Sequence, residues 1–286
     1  MKLLVASSTD VGHVRSGNED SYVVDDELGL FAVADGMGGH RGGEVASSTA
    51  IEALHAAIAE GHAVEAAIHL ANTAVFARAA SDDALSGMGT TMTAFVQLGD
   101  ALVIGHVGDS RAYLSRGGAL QKLTVDHSLV EELVREGRIT AEEASAHPRR
   151  SIITRAVGIE PEVEVDLYPV TVIKNDRFLI CSDGLTDMVS EFDVAVTLAR
   201  PGSPHDCAQE LVDSALANGG HDNITVVVID VLETDTDPEE LAVIDPAASA
   251  ADDVTEPFPA PFPEALPEPS AAPKMPRRWW QRRARR

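Results

Sequence analysis

Apolar and polar positions change period several times along the chain, and each change predicts an element. Leu30-Phe31-Ala32-Val33-Ala34 is a continuous apolar run that reads as a buried strand. Residues 44–59 and 62–79 are alanine-rich at helical spacing, with Val64, Ile68, Ala71 and Val75 following one another at +4, +3 and +4. The period then shortens. "TTMTAFVQL" and "ALVIGHV" flank Gly99-Asp100, which predicts a two-residue hairpin. "RAYL" is a further strand, closed by a turn at Arg116-Gly117-Gly118. A polar helical region follows, with capping-box patterns at Ser128…Glu131 and Thr140…Glu143. "RFLICSDG" predicts a strand running into a turn, residues 191–217 predict helices, and "NITVVVIDV" predicts a closing strand. Successive strands joined by hairpins imply antiparallel sheet. A dinucleotide-binding fold needs strand and helix to alternate throughout, and this order does not.

Composition sets the outer limits of this body. The chain has 286 residues and is 44% hydrophobic and 24% charged, the balance of an ordinary globular protein. The pattern changes near residue 232. Residues 233–273 are rich in Pro and Ala and hold 11 Asp/Glu and no Lys/Arg, which predicts an extended, disordered acidic linker. Residues 274–286, "KMPRRWWQRRARR", carry 7 Lys/Arg and no acid and form a basic Trp/Arg tail. The net charge of −24 therefore falls mainly on residues 1–232, which argues against nucleic acid as a partner of that body. Cys181 and Cys207 stand far apart and near no Cys/His cluster, so neither a zinc site nor a disulfide framework is expected. The N-terminus lacks the pattern of a signal peptide and no apolar run reaches a membrane span, so the expected location is the cytoplasm.

"ADGMGGH", residues 34–40, joins the first buried strand to a helix. Strand, glycine-rich turn and helix is also the setting in which backbone N–H groups cradle phosphate. The spacing does not fit: Gly36-x-Gly38 needs a third glycine where Arg41 stands, and no G-x-x-x-x-G-K-[ST] occurs. Asp35 stands at the mouth of the turn. Three other stretches pair an Asp with turn chemistry: Gly108-Asp109-Ser110-Arg111, Ser182-Asp183-Gly184 and His221-Asp222-Asn223. Asp35, Asp183 and Asp222 each abut an apolar strand. Taken singly, each Asp fits an ordinary turn. Together at strand ends they would repel one another unless cations joined them, and oxygen ligands suit Mg²⁺ or Mn²⁺.

"VRSGNEDS" (14–21), "ADGMGGHRGGEVAS" (34–47), "GMGTTMTAF" (87–95), "HVGDSRAYL" (106–114), "LTVDHSLVEELVREGRI" (123–139), "CSDGLTDMV" (181–189) and "GGHDNITVVVI" (219–229) carry a resemblance. In this order they resemble the bacterial branch of the metal-dependent (PPM, type 2C) serine/threonine protein phosphatases, over about residues 5–231. The resemblance implies an α+β fold, a four-layer sandwich of two packed antiparallel sheets flanked by helices on each side. It implies two Mn²⁺ or Mg²⁺ ions bridged by Asp35, with the Gly36 backbone carbonyl, Asp183 and Asp222 as further ligands. Glu19 corresponds to an acid holding one ion through water, and a plain surface carboxylate is the competing reading. Asp109 corresponds to the ligand of a third, weaker ion, against a buried pair with Arg111. Asp187, four residues after Asp183, is a further candidate for the same ion. Arg15 matches the family's phosphate-binding arginine, and its planar fork suits phosphate oxygens. Residues 128–155 correspond to a flap beside the site, bearing on substrate choice.

These residues imply attack on phosphoserine or phosphothreonine by a hydroxide bridging two metal ions. Cys181 lacks the glycine-rich loop and following Arg of a cysteine phosphatase, and reads as an inert core residue. Ser110 and Ser182 read as bonding locally to backbone. Met37 stands where many relatives carry a His, and His40, His127 and His221 leave the leaving-group acid open. Expected partners are phosphorylated Ser/Thr proteins, a Ser/Thr kinase among them, with the chain a monomer. A catalytically inactive relative acting as a phosphoprotein-binding scaffold is the alternative. The tail has two readings, weak peripheral contact with an anionic membrane or folding back on the acidic body. The expected outcome for the first is salt-sensitive co-sedimentation with anionic vesicles that is lost on deleting 274–286. Vesicle binding that survives the deletion removes it.

Overall fold

The computed structural model describes residues 1–38 and 41–236. His40, most of the acidic linker and all of the basic tail lie outside the described residues. In chain order the strands are β1 (Lys2–Asp10), β2 (Asp20–Asp25), β3 (Leu30–Met37), β4 (Gly89–Thr90), β5 (Met92–Leu98), β6 (Ala101–Val107), β7 (Arg111–Arg116), β8 (Ala119–Lys122), β9 (Asp166–Thr171), β10 (Arg177–Cys181) and β11 (Ile224–Glu233). The helices are α1 (Gly42–Ala59), α2 (Val64–Ser81), α3 (Leu129–Arg135), α4 (Ala141–Ser145), α5 (Asp183–Thr186), α6 (Glu191–Ala199) and α7 (Pro204–Ala217).

Two antiparallel sheets form, one ordered β1-β11-β10-β7-β8 and the other β2-β3-β5-β6-β9, with β4 paired to β3. The continuous apolar runs arise because the central strands are buried on both faces. In β3, Phe31 and Val33 enter the core between the sheets, while Leu30, Ala32 and Ala34 face α1 and α2. In β10 and β11, Phe178, Ile180, Val227 and Ile229 join the inter-sheet core, and Leu179, Cys181, Val226 and Val228 pack under α5, α6 and α7. The layers are therefore helix, sheet, sheet and helix, the four-layer α+β sandwich expected. Phe95 of β5 meets Phe178 of β10 edge to face across the inter-sheet core, their ring centroids 5.6 Å apart.

The Gly99-Asp100 hairpin forms with Leu98 opposite Ala101. Thr140 and Glu143 make a complete capping box, whereas at Ser128 only the hydroxyl half forms, because the Glu131 side chain lines a cleft instead. "CSDG" differs from the expected turn. Ser182 is extended and the chain winds at once into α5, where the Asp187 N–H donates to the Asp183 carbonyl (2.8 Å). Among the described residues no helix is long and apolar enough to cross a membrane.

Phe178→Ala should destabilise the body by about 3–5 kcal/mol, since the side chain is fully buried at the centre of the inter-sheet core. Phe192→Ala, at a residue 75% exposed, should change stability by less than about 0.5 kcal/mol. Chemical denaturation of the two variants checks the pair.

Candidate active site

The strand ends that carry the predicted acids meet at one end of the sandwich. In the β2–β3 pair, Asp20 stands opposite Asp35. β4 and β5 begin beside them: the Asp35 N–H donates to Thr91 Oγ1 (2.8 Å), and the Asp35 carbonyl accepts from the Thr91 N–H (2.9 Å) and Thr90 Oγ1 (2.7 Å). In the facing sheet, β10 ends just before Asp183 and β11 begins just after Asp222-Asn223. Asp109 lies in the turn that carries the chain from β6 in one sheet to β7 in the other.

Polar side chains join the two sheets at this rim. Ser182 Oγ donates to Asp20 Oδ2 (2.8 Å) and accepts from the Thr225 N–H (3.0 Å). Thr91 Oγ1 and Ser110 Oγ lie 2.7 Å apart. The local backbone bonding expected for Ser110 and Ser182 gives way to these contacts, because the facing sheet supplies nearer partners. Buried Asn223 accepts from the Glu19 N–H (2.8 Å) and donates to the carbonyls of Val11 and Gly17 (both 2.9 Å), fixing the loop that bears Arg15. Arg15 itself donates to Asp222 Oδ2 at 2.7 Å.

Asp187 and Asp109 stand differently from one another. Asp187 faces the solvent side of α5 and pairs with Arg150 of the flap at 3.1 Å. Asp109 is buried at the rim, and the ion pair Arg111 makes is with Asp126, at 2.7 Å, in place of the Asp109–Arg111 pair. His127 lies off the rim, its Nδ1 accepting from the Gly108 N–H (2.9 Å) and its Nε2 facing Asp166. Cys181 is wholly buried and burial pushes its thiol up to about 12, as an inert core residue requires.

The carboxylates at the rim are electrostatically frustrated. Burial, then the charges of Asp20, Asp183 and Asp109, raise Asp35 far above the usual range. Burial raises Asp109 to about 8 and Asp20 to about 7, and lifts Asp183 in the same direction. Asp20 Oδ1 is buried with no hydrogen-bond partner. Sequence reasoning passed over Asp20, although it sits in the same "NED" stretch as Glu19. Successive extended residues point to opposite faces, so Glu19 turns toward α1 and Asp20 toward Ser182.

Beside Asp109 and Asp183 a cleft of about 580 Å³ opens between α5–α6 and the flap residues Val130, Val134, Ala141 and Ala144. The protein phosphatase 2C family matches residues 12–215 of the chain. The chain belongs to the protein phosphatase 2C family. It is 44% identical over 239 residues to the serine/threonine protein phosphatase PstP of Mycobacterium tuberculosis, covering 82% of this chain and 46% of that protein. It is 42% identical over 235 residues to the serine/threonine phosphatase stp of Listeria welshimeri, covering 78% of this chain and 93% of that one. The chain thus spans under half of the first relative and nearly all of the second. The crystal structure of the PstP catalytic domain in complex with two manganese ions superposes with a TM-score of 0.74 at 42% identity, over 81% of this chain and 99% of that one.

The residues present fit the family's ions. Crowded carboxylates with raised proton affinity and an orphaned buried oxygen on Asp20 are what a hard dication relieves. Among the described residues no three Asp, Glu, His or Cys side chains already converge as a complete ligand set. Two of the acids are instead paired with arginines, Asp222 with Arg15 and Asp187 with Arg150.

A pH dependence follows. Unfolded, these carboxylates titrate near pH 4, while in the folded chain Asp20 and Asp109 titrate near 7 and 8. Between those limits these two groups bind more protons in the folded state, so their contribution to metal-free stability falls as pH rises from about 4 to about 8. Added Mn²⁺ should raise the melting temperature more at pH 8 than at pH 5. Thermal melts with chelator and with Mn²⁺ at the two pH values check this, and an equal Mn²⁺ shift at both would refute it.

Proposed function

We propose that this chain is a metal-dependent phosphatase that removes phosphate from phosphoserine and phosphothreonine in proteins, reversing the action of a Ser/Thr kinase. The observation that carries the reading is the gathering of Asp20, Asp35, Asp109, Asp183 and Asp222 at one rim of the sandwich, with Arg15 hydrogen-bonded to Asp222. Family membership and the two manganese ions named for the PstP catalytic domain support it.

In this reading Asp35, the Gly36 carbonyl, Asp183 and Asp222 hold two Mn²⁺ or Mg²⁺ ions, with Glu19 acting on one through water. Asp109 serves a third, weaker ion. Bound there, the ions supply a hydroxide nucleophile at neutral pH and offset the charge of the phosphate. The chain's own work is to orient and to exclude. Thr90 and Thr91 saturate the Asp35 backbone, so its carboxylate is placed by the strand and keeps its oxygens free. Asn223 holds the 11–18 loop so that Arg15 projects over Asp222. Arg15 donates to Asp222 here, and with Asp222 engaged by an ion its guanidinium fork would be free for the phosphate oxygens. The cleft beside Asp109 and Asp183 gives the residues around the phosphorylated side chain a place to lie.

Asp187 serves in this reading to hold the flap through Arg150. The chain acts as a monomer, and weak peripheral membrane contact falls to the basic tail. The proximity of Arg15 to Asp222, and of Asp183 to Asp35 and Asp222, supports an active enzyme over the inactive-scaffold alternative.

The expected outcome is Mn²⁺-dependent release of phosphate from a phosphothreonine peptide, abolished by chelator. Asp35→Asn should lower the rate by roughly 100-fold or more. Metal-independent hydrolysis, or an unaffected Asp35→Asn enzyme, overturns the proposal.

A further inference from the structure

The half of the rim formed by Glu19 and Gly36 rests on a part of the chain that holds none of the proposed ligands. Gly43 is the second residue of the 18-residue helix α1. Glycine is a poor choice inside a helix. Its surroundings supply the reason. A methyl group on Gly43 would stand 2.7 Å from the Gly36 carbonyl oxygen and 2.8 Å from the Glu19 carboxyl carbon. Both are far inside van der Waals contact, and the first is with backbone. Gly42 differs, because a methyl group there would meet only Met88 Cβ, at 3.3 Å.

One turn further along the same helix face, Ser47 is wholly buried. Its hydroxyl donates to the Glu19 carbonyl (2.6 Å) and lies 2.9 Å from Ser21 Oγ. The Gly36 N–H donates to that same Glu19 carbonyl (3.1 Å). The first two turns of α1 therefore touch Glu19 at both its carboxyl end and its backbone, and touch Gly36 at its carbonyl.

We infer that Gly43 and Ser47 are positioning residues that set the Glu19–Gly36 half of the metal site, separately from the Asp183–Asp222 half. Gly43 acts by leaving the space in which the Gly36 carbonyl and the Glu19 carboxylate lie together. Ser47 acts by fixing the Glu19 backbone at the start of β2. The Asp183–Asp222 half is built from β10, α5 and β11, none of which Gly43 or Ser47 touches, and it meets the Glu19 half through Ser182 and Asn223. This inference rests on the metal reading of the site given above.

The test is calorimetric titration of the metal-free full chain with Mn²⁺, joined to electron paramagnetic resonance for the signal of a spin-coupled ion pair. Wild type and Gly42→Ala should bind two ions with the pair signal. Gly43→Ala should keep one ion at near wild-type affinity, bind the other at least ~10-fold more weakly, and lose the pair signal. Ser47→Ala should weaken that same ion in the same sense, by a smaller factor. Because it removes one oxygen and adds no bulk, it decides the matter where Gly43→Ala does not fold. Unchanged binding by a folded Gly43→Ala chain, or by Ser47→Ala where the glycine variant does not fold, overturns the inference. Equal weakening of both ions overturns it too. A wild-type chain that binds no Mn²⁺ instead overturns the metal reading on which the inference stands.

Discussion

Negative charge gathered at one half-buried rim is the constraint around which this molecule is arranged. Burial raises the proton affinity of Asp35 and Asp109, and the charge of Asp183 raises both further. A fold with no use for that strain would lose it by substituting one acid. Here the surrounding structure sustains it. The acids sit at the ends of strands whose positions are set by the inter-sheet core, and Thr90 and Thr91 hold the backbone of Asp35. Its carboxylate is thus placed without a side-chain donor from either threonine. The arrangement makes the rim receptive to dications while the hydrophobic layers carry its cost.

The two sheets could slide or splay at such a rim, and the polar couplers there explain why they do not. Ser182 joins β10's end to β2, Thr91 faces Ser110, and Asn223 ties the start of β11 to both Glu19 and the 11–18 loop. Arg15 depends on this last tie. Its own guanidinium has one strong partner, Asp222, and the loop that carries it has no regular structure. Asn223 replaces the rigidity that a strand would have given. A guanidinium on a loop can then be placed as firmly as the acids on strands.

Much of this was legible in the sequence because the controlling residues are punctuation marks. Asp-Gly and Asp-Asn pairs bounded by apolar runs locate strand ends, and strand ends are where the rim lies. The helices α1 and α2 followed from alanine and valine spacing, and the central strands from two-sided burial. β9 was not read, since Pro169 and flanking acids hide a half-buried strand at a sheet edge. Asp20 was passed over because its importance is set by the face it points to, which depends on the register of β2 against β3. The roles of Ser182 and Ser110 were misread for a similar reason: their partners are supplied by the other sheet. Arg150 and Arg111 could not be paired with Asp187 and Asp126 from spacing alone, because those pairings cross between elements far apart along the chain or around a turn.

The pairing of the first strand with the last has a consequence for how the chain can be handled and how it folds. β1 lies against β11 from Asp10 opposite Ile224 to Lys2 opposite Glu233. Sheet closure therefore joins segments separated by nearly the whole body, a contact of high sequence separation that costs loop entropy before it rewards it. The body cannot mature vectorially, strand by strand, because one edge of its inner sheet waits for the last strand to arrive. Residues 2 and 233 end side by side, the geometry that circular permutation exploits, so a short joint there with a new opening at an exposed turn such as Gly117-Gly118 would preserve the sandwich while reordering its assembly.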